Sequence, residues 1–169
     1  MSDLYENKVP CRFIGKQDAT VTYTNRTCIH AILYSPLTSE IAILKDNNGN
    51  YFKLPGCDVQ EKEPSAVALT REILEETHCK AVIDDEYFAK SEQWKGNVHQ
   101  VSFCYVAKLV KDTGKANLGK SGLAGRLWCH WLTVEEALEL MKRIEPTSKL
   151  DSSIKERDSF FVKTFANVP

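Results

Sequence analysis

The sequence predicts a single α/β (α+β) domain, and three observations support this prediction. The chain has 169 residues, 43% hydrophobic and 27% charged, which is typical of one domain that buries about two thirds of its unfolded surface. Short apolar runs separated by turn residues indicate strands. Two Ser/Thr-x-x-Glu patterns, at Thr133 and Ser153, indicate helix starts. We expect the domain to span residues 27–169, with residues 1–26 as an N-terminal extension.

The predicted elements follow one another in a regular order. Strands are predicted at residues 27–34, 40–44, 51–54, 80–83, 88–93, 99–110 and 128–132, with a hairpin turn at the Asn-Asn-Gly-Asn sequence of residues 47–50. Pro64 suits the first turn of a helix, and the acidic Glu63 before it complements the positive helix end. The two later helices are predicted from Thr133 to residue 144 and from Ser153 to about residue 165.

The helix after Pro64 carries an unusual concentration of carboxylates. Glu72, Glu75 and Glu76 share one helical face, while Ile73 points toward the core. Three neighbouring carboxylates repel one another unless a cation lies among them, and oxygen-only ligands favour Mg²⁺, which often completes its shell with substrate phosphates. The alternative is that these residues form a solvated acidic surface, as most charge clusters do.

The spacing of these charges resembles the signature of the Nudix hydrolases, G-x5-E-x7-R-E-U-x-E-E-x-G-U, in which U is a bulky aliphatic residue. The matching positions are Glu63, Arg71, Glu72, Ile73, Glu75 and Glu76. Cys57 and His78 replace the two signature glycines, and Cys79 takes the last aliphatic position, whereas Gly56 is retained just upstream. His at a helix end can adopt the left-handed conformation at modest cost.

The resemblance implies a fold, an activity and a cofactor. The fold would be a mixed-sheet α/β/α sandwich with the catalytic loop and helix at about residues 56–78. The activity would be hydrolysis of the diphosphate bridge of a nucleotide, either a nucleoside triphosphate or an oxidised nucleotide, to monophosphate and pyrophosphate. ADP-ribose or a dinucleoside polyphosphate is the rival substrate, and a weakly active nucleotide-binding module is the non-enzymatic alternative. Mg²⁺, with Mn²⁺ as a second candidate, would be the cofactor.

The resemblance also assigns roles to individual residues. The expected metal ligands are Gly56 (through its carbonyl), Glu72, Glu75 and Glu76, and the expected catalytic residues are Glu63, Arg71, Glu72 and Glu75. Arg71 would orient Glu75 or Glu63 rather than touch substrate. The proton acceptor would be Glu72 or Glu75, unless a metal-bound hydroxide makes a separate base unnecessary.

Four residues outside the signature are candidates for substrate binding. Lys45 and Lys53 flank the predicted hairpin and could contact phosphates, although lysines at strand ends are more often solvated. Trp94 and His99 could stack on or hydrogen-bond a nucleobase, since aromatic faces accept any base.

A competing motif lies later in the chain. Residues 114–121 satisfy the phosphate-binding pattern G-x-x-x-x-G-K-[ST]. That pattern requires a helix directly after it, but Gly122 and Gly125 interrupt the following segment and a strand is predicted soon afterwards. We therefore predict a basic loop, which is long enough to act as a lid or to contact substrate.

Composition excludes several other functions. The chain has a net charge of −1 and no basic stripe of the kind that binds polymeric nucleic acid. The predicted partner is therefore a small nucleotide. No run approaches the ~20 apolar residues of a membrane span, and the start of the chain lacks the order of a signal peptide. Six cysteines without a C-x-x-C pair predict reduced thiols in a cytoplasmic protein. A homodimer through the segment before Thr27 is a family-level expectation.

Overall fold

The computed structural model describes residues 8–113 and 126–168, and these residues form a mixed sheet with three helices. The strands are β1 (Cys11–Ile14), β2 (Thr24–Ser35), β3 (Glu40–Asp46), β4 (Tyr51–Lys53), β5 (Gly56–Asp58), β6 (Cys79–Lys95), β7 (Val98–Asp112) and β8 (Leu127–Leu132). The helices are α1 (Ser65–Thr77), α2 (Val134–Arg143) and α3 (Lys149–Ala166).

The sheet combines parallel and antiparallel pairs, which confirms the predicted mixed sheet. Its main order is β1-β6-β7-β2-β3-β4, with β5 also paired to β2 and β8 to β3. The β1–β6 and β2–β7 pairs are parallel, and the other pairs are antiparallel. The β2–β5 register sets His30 opposite Gly56, so the loop that leads to α1 starts beside the central strand.

Two apolar clusters, one on each face of the sheet, produce the predicted α/β/α sandwich. On β2, Ile29 and Leu33 belong to the cluster that includes Ile73 of α1, whereas Ile32 belongs to the cluster that includes Phe161 of α3. Successive strand residues point to opposite faces, so the run buries side chains on both sides. All five of these side chains are fully buried, and each such burial stabilises the fold by roughly 1.5–3 kcal/mol.

The capping patterns predicted one helix start correctly and the other incorrectly. Thr133 caps α2 through a complete capping box with Glu136, as predicted. The last helix begins at Lys149 instead of near Ser153, because the Ser148 hydroxyl accepts a hydrogen bond from the Asp151 N–H at 3.0 Å and caps the helix earlier. Ser153 lies inside that helix, where its hydroxyl donates to the Lys149 carbonyl at 2.9 Å.

The edges of the predicted strands also differ from those in the structure. The strands predicted at 80–83 and 88–93 are parts of one strand, β6, whose register shifts between Ile83 and Tyr87. The acidic residues 84–86 interrupt the apolar alternation at this bulge, which explains why the pattern indicates two strands. Upstream, β2 begins at Thr24 and β1 pairs with β6, so the sheet extends into the segment predicted as an N-terminal extension.

Three other sequence predictions concern segments or chemistry outside the sheet. The G-x-x-x-x-G-K-S pattern at residues 114–121 and most of the predicted basic loop lie outside the described residues. All six cysteines are free thiols in this structure. In the part of the chain that the structure describes, no helix combines the length and apolar character needed to cross a bilayer.

Candidate active site

Helix α1 carries two of its carboxylates beside its apolar contacts. Leu69 and Ile73 are fully buried against the sheet. Glu72 and Glu76 each follow one of them by three residues, so they lie on the same side of the helix, where they line a cavity. The helix ends at His78, whose backbone is left-handed (φ 62°) and whose N–H donates to the Leu74 carbonyl at 3.0 Å. His therefore does replace the signature glycine at this helix end, as expected.

Glu76 is the most buried carboxylate of the cluster, with 1% of its side chain exposed. One carboxylate oxygen accepts a hydrogen bond from the Lys53 ammonium at 2.6 Å, and the other accepts the Gly56 N–H at 3.0 Å. Burial raises the pKa of Glu76, and Lys53 opposes that change. Both oxygens are thus engaged by groups of the protein itself.

Gly56 occupies a position that has no space for a side chain. A Cβ there would lie 2.5 Å from the Ile29 carbonyl oxygen and closer still to Nδ1 of His30. The position that requires glycine for steric reasons is therefore Gly56, which the chain retains. The neighbouring Cys57 fits with its side chain half-buried. Burial, followed by the charge of Glu72, raises the pKa of Cys57 to about 12, so this thiol is a poor nucleophile.

Glu72 is held in a site that disfavours its ionised form. Its side chain is 15% exposed, and its pKa is raised to about 7, first by burial and then by the charges of Glu76 and Glu75. The charges of Glu75 and Glu76 therefore act on Glu72 from nearby positions on the same helix. A group that titrates near neutrality is suited to proton transfer.

Arg71 contacts the acid at the start of the signature. Its Nη2 lies 3.0 Å from Oε1 of Glu63, and its Nη1 lies 3.6 Å from Oε2 of Glu72. Of the two predicted partners of Arg71, the structure shows Glu63 and no contact with Glu75. The second oxygen of Glu63 is buried without a hydrogen-bond partner among the described residues, so the Arg71 contact is what holds this carboxylate in place.

Comparisons with known proteins identify the fold. No protein-family model and no curated relative matches the sequence. Among solved structures, a NUDIX hydrolase from Nitrosomonas europaea aligns with a TM-score of 0.57 at 14% identity over 83% of this chain and 91% of its own. The MutT protein from Methanosarcina mazei Go1 aligns with a TM-score of 0.60 at 15% identity over 88% of this chain and 100% of its own. A UDP-X diphosphatase aligns with a TM-score of 0.58 at 14% identity, over 87% of this chain and 66% of its own.

The chain has the Nudix fold. The backbone is similar to those of the NUDIX hydrolase and the MutT protein. Independently of the backbone, the spacing of the charged residues matches the Nudix signature at Glu63, Arg71, Glu72, Glu75 and Glu76. In this Nudix fold, the residue 56–78 segment forms β5, the following loop and α1. The predicted loop and helix are therefore confirmed as structural elements.

The carboxylates match a divalent cation in chemical type but are not arranged around one. Among residues 8–113 and 126–168, no group of three or more His, Cys, Asp or Glu side chains is positioned to hold a metal ion. Glu72 and Glu76 offer the oxygen ligands that hard cations prefer. The charge of Glu76 also raises the pKa of Glu72, and a bound cation would offset this repulsion. At Glu76 the Lys53 ammonium supplies the compensating charge, so a cation shared by Glu72 and Glu76 requires Lys53 to move. Gly56 contacts the cluster through its N–H, and its carbonyl as a metal ligand stays a prediction.

The cavity beside α1 has a volume of about 670 Å³. It is lined by Lys53, Glu72 and Glu76 and by residues of α3. Arg26 and Arg126 also line the cavity, but each is paired with an aspartate: Nη2 of Arg26 lies 2.7 Å from Asp58, and Nη2 of Arg126 lies 3.0 Å from Asp46. The carboxylates of the signature therefore share this cavity with a helix that lies outside the signature.

Of the four predicted substrate residues, only Lys53 lines this cavity. Lys45 instead donates to the Gly49 carbonyl at 3.1 Å. Trp94 stacks on Phe13 from β1 and on His99 from β7, with ring centroids 6.1 and 5.0 Å apart. The indole of Trp94 thus stacks between rings from two neighbouring strands, and the binding of a base by Trp94 or His99 stays a prediction. Glu75, predicted as a ligand or base, is also not among the lining residues.

Two residues that the sequence did not single out are His30 and Arg157. Both line the cavity, and both are buried, with 6% and 8% of their surface exposed. Burial holds the pKa of His30 well below its ordinary value. A histidine within an otherwise apolar strand and an Arg-Asp pair in the middle of a helix are the only sequence signals, and neither indicates a site without the tertiary contact between β2 and α3.

Proposed function

We propose that this protein is a Mg²⁺- or Mn²⁺-dependent hydrolase that cleaves the diphosphate bridge of a nucleoside triphosphate or an oxidised nucleotide, releasing a monophosphate and pyrophosphate. The observation that supports this most directly is that Glu72, Glu76 and Lys53 all line the same cavity and that Lys53 bonds to Glu76. A phosphate group there would meet an ammonium group and carboxylates able to share a cation.

The roles proposed for the residues follow from their contacts. Lys53 would exchange its bond to Glu76 for a phosphate oxygen, which frees Glu76 for a cation. Glu72 would accept the proton of the attacking water, because it faces the cavity and has a pKa of about 7, whereas Glu75 does not line the cavity. Arg71 would position Glu63. When bound by the α1 carboxylates, the divalent cation supplies charge neutralisation at the phosphates and activates water.

The test is a release assay for phosphate and pyrophosphate across a panel of nucleoside triphosphates and oxidised nucleotides, with Mg²⁺ or Mn²⁺. Glu72→Gln removes the proposed base with little change in shape, and we expect it to lower kcat by about 100-fold or more. Glu75→Gln tests the other candidate base. Glu86→Gln, an exposed acid outside the cavity, is the matched control. Turnover by Glu72→Gln at the wild-type rate would exclude Glu72 as the base.

Two other functions are supported by specific observations. The commitment of both Glu76 oxygens to Lys53 and Gly56 favours a nucleotide-binding module of weak activity. The likeness to a UDP-X diphosphatase favours a substrate with a group beyond the diphosphate, such as ADP-ribose or a dinucleoside polyphosphate. Including both compounds in the panel, and measuring binding by calorimetry beside turnover, separates these functions. Binding without turnover of any compound would support the module and contradict the hydrolase.

A further inference from the structure

Arg157 is a buried arginine with unused hydrogen-bonding capacity. Its side chain is 10% exposed, and its Nε donates to Oδ1 of Asp158 at 2.7 Å. The other oxygen of Asp158 accepts the Leu54 N–H at 2.9 Å, so this partner has no free oxygen. Within the described residues, neither Nη1 nor Nη2 of Arg157 has a hydrogen-bond acceptor. These two nitrogens are not among the buried side-chain atoms that lack a partner, so they remain accessible and can donate to an acceptor on a bound ligand.

The surroundings of Arg157 locate that acceptor in the cavity. Arg157 lines the same cavity as Glu72 and Glu76. His30 also lines it, but both of its ring nitrogens are buried and have no hydrogen-bond partner among the described residues. The polar group that α3 offers to a ligand here is therefore the accessible guanidinium of Arg157. A few such groups fix the orientation of a ligand in a pocket.

The neighbours of Arg157 on α3 indicate the shape of the ligand. Leu150, Ile154 and Arg157 follow one another at spacings of four and three residues, so they share one face of the helix. All three line the cavity. An apolar surface that ends in a planar guanidinium fits a flat ring whose edge carries two adjacent acceptors. A free phosphate or carboxylate would satisfy the guanidinium but would lose hydration against the two aliphatic side chains.

We propose that Arg157 is a specificity-determining residue that binds the O6 and N7 acceptors of a 6-oxopurine nucleotide, with Leu150 and Ile154 against the ring. Arginine donates in pairs to these two atoms, whereas adenine presents an amino donor in place of O6. The inference rests on the proposed function in one respect: the phosphates of the same nucleotide would lie toward Lys53 and Glu72.

The experiment measures binding in the absence of divalent cations, so it does not depend on turnover. GMP, IMP and AMP are titrated by calorimetry into the wild type, Arg157→Lys and Arg143→Lys. The last is a matched control, because Arg143 lies on α2, is exposed and does not line this cavity. We expect the wild type and Arg143→Lys to bind GMP and IMP about 10- to 100-fold more tightly than AMP. Arg157→Lys keeps the positive charge but removes the paired N–H donors of the guanidinium, so it should lose most of the preference for GMP and IMP over AMP.

A second measurement needs no variant and remains decisive if Arg157→Lys fails to fold. The monophosphate of 7-deazaguanosine lacks the N7 acceptor, and the wild type should bind it about tenfold more weakly than GMP. Equal affinities for GMP and AMP, equal affinities for GMP and its 7-deaza analogue, or no GMP binding at millimolar concentration would each overturn the proposal. A preference for GMP that depends on Arg157, without hydrolysis of any nucleotide, would retain this inference and reject the hydrolase.

Discussion

Replacing Glu72 by Gln should stabilise the metal-free protein at alkaline pH. The pKa of Glu72 is about 7 in the folded protein, against 4.5 ordinarily. Between these two pH values the folded state binds a proton that the unfolded state has released, so stability is lost as pH rises from 4.5 through 7. At 1.36 kcal/mol per pKa unit, the ionised carboxylate costs the fold roughly 3 kcal/mol at pH 8. A neutral glutamine avoids that cost.

The assay is urea unfolding followed by tryptophan fluorescence at pH 4, 5, 6, 7 and 8 with a chelator present. We expect Glu72→Gln to match the wild type near pH 4 and to exceed it by about 1–3 kcal/mol at pH 8. Glu86→Gln should follow the wild type at every pH. Adding Mn²⁺ should stabilise the wild type more than Glu72→Gln, because only the wild type offers the carboxylate. A Glu72→Gln protein no more stable than the wild type at pH 8 would refute the claim that Glu72 is held in an unfavourable ionised form.

Two further predictions concern groups in contact with Glu76. Lys53→Met removes the ammonium that neutralises the Glu76 carboxylate, whose side chain is 1% exposed, and should lower the free energy of unfolding by about 3–5 kcal/mol. Adding Mn²⁺ should restore part of the lost melting temperature. A melting curve that Mn²⁺ does not move would argue against a cation site at Glu76. Gly56→Ala should cost about 1–3 kcal/mol in urea unfolding because its Cβ would overlap the backbone of Ile29 and the ring of His30. Cys57→Gly should cost less than about 1 kcal/mol, and a larger loss there than at Gly56 would contradict the steric assignment.

Much of the site could be predicted because the signature is local in sequence. The helix, its carboxylate face and the contact between Arg71 and Glu63 all lie within residues 63–76, where helical spacing determines which side chains are neighbours. The left-handed end at His78 follows from the same local rules. The strand that carries Lys53 was also predicted, although its pairing with Glu76, 23 residues away, was not.

Contacts between distant segments could not be predicted from the sequence. The stacking of Trp94 on Phe13 of β1 and on His99 of β7 depends on the strand order. The start of α3 was misplaced because Ser148 competes with Ser153 for the cap, and both satisfy the same pattern approximately. Lys45 lies on β3, away from the cavity, because the hairpin directs only Lys53 of the pair toward α1.

The sequence by itself determined an α/β domain and a helix with three carboxylates at fixed spacing, which repel one another unless a cation lies among them. These properties depend on the helical period and on the charges of nearby residues, and both can be obtained directly from the sequence. Only the tertiary structure decided which cation is already present, since Lys53 reaches Glu76 from β4. It also decided which other residues share the cavity with the carboxylates, because Arg157 of α3 and His30 of β2 both line it. Residues far apart in the chain approach one another only through the burial of apolar surface, and no local pattern records that approach.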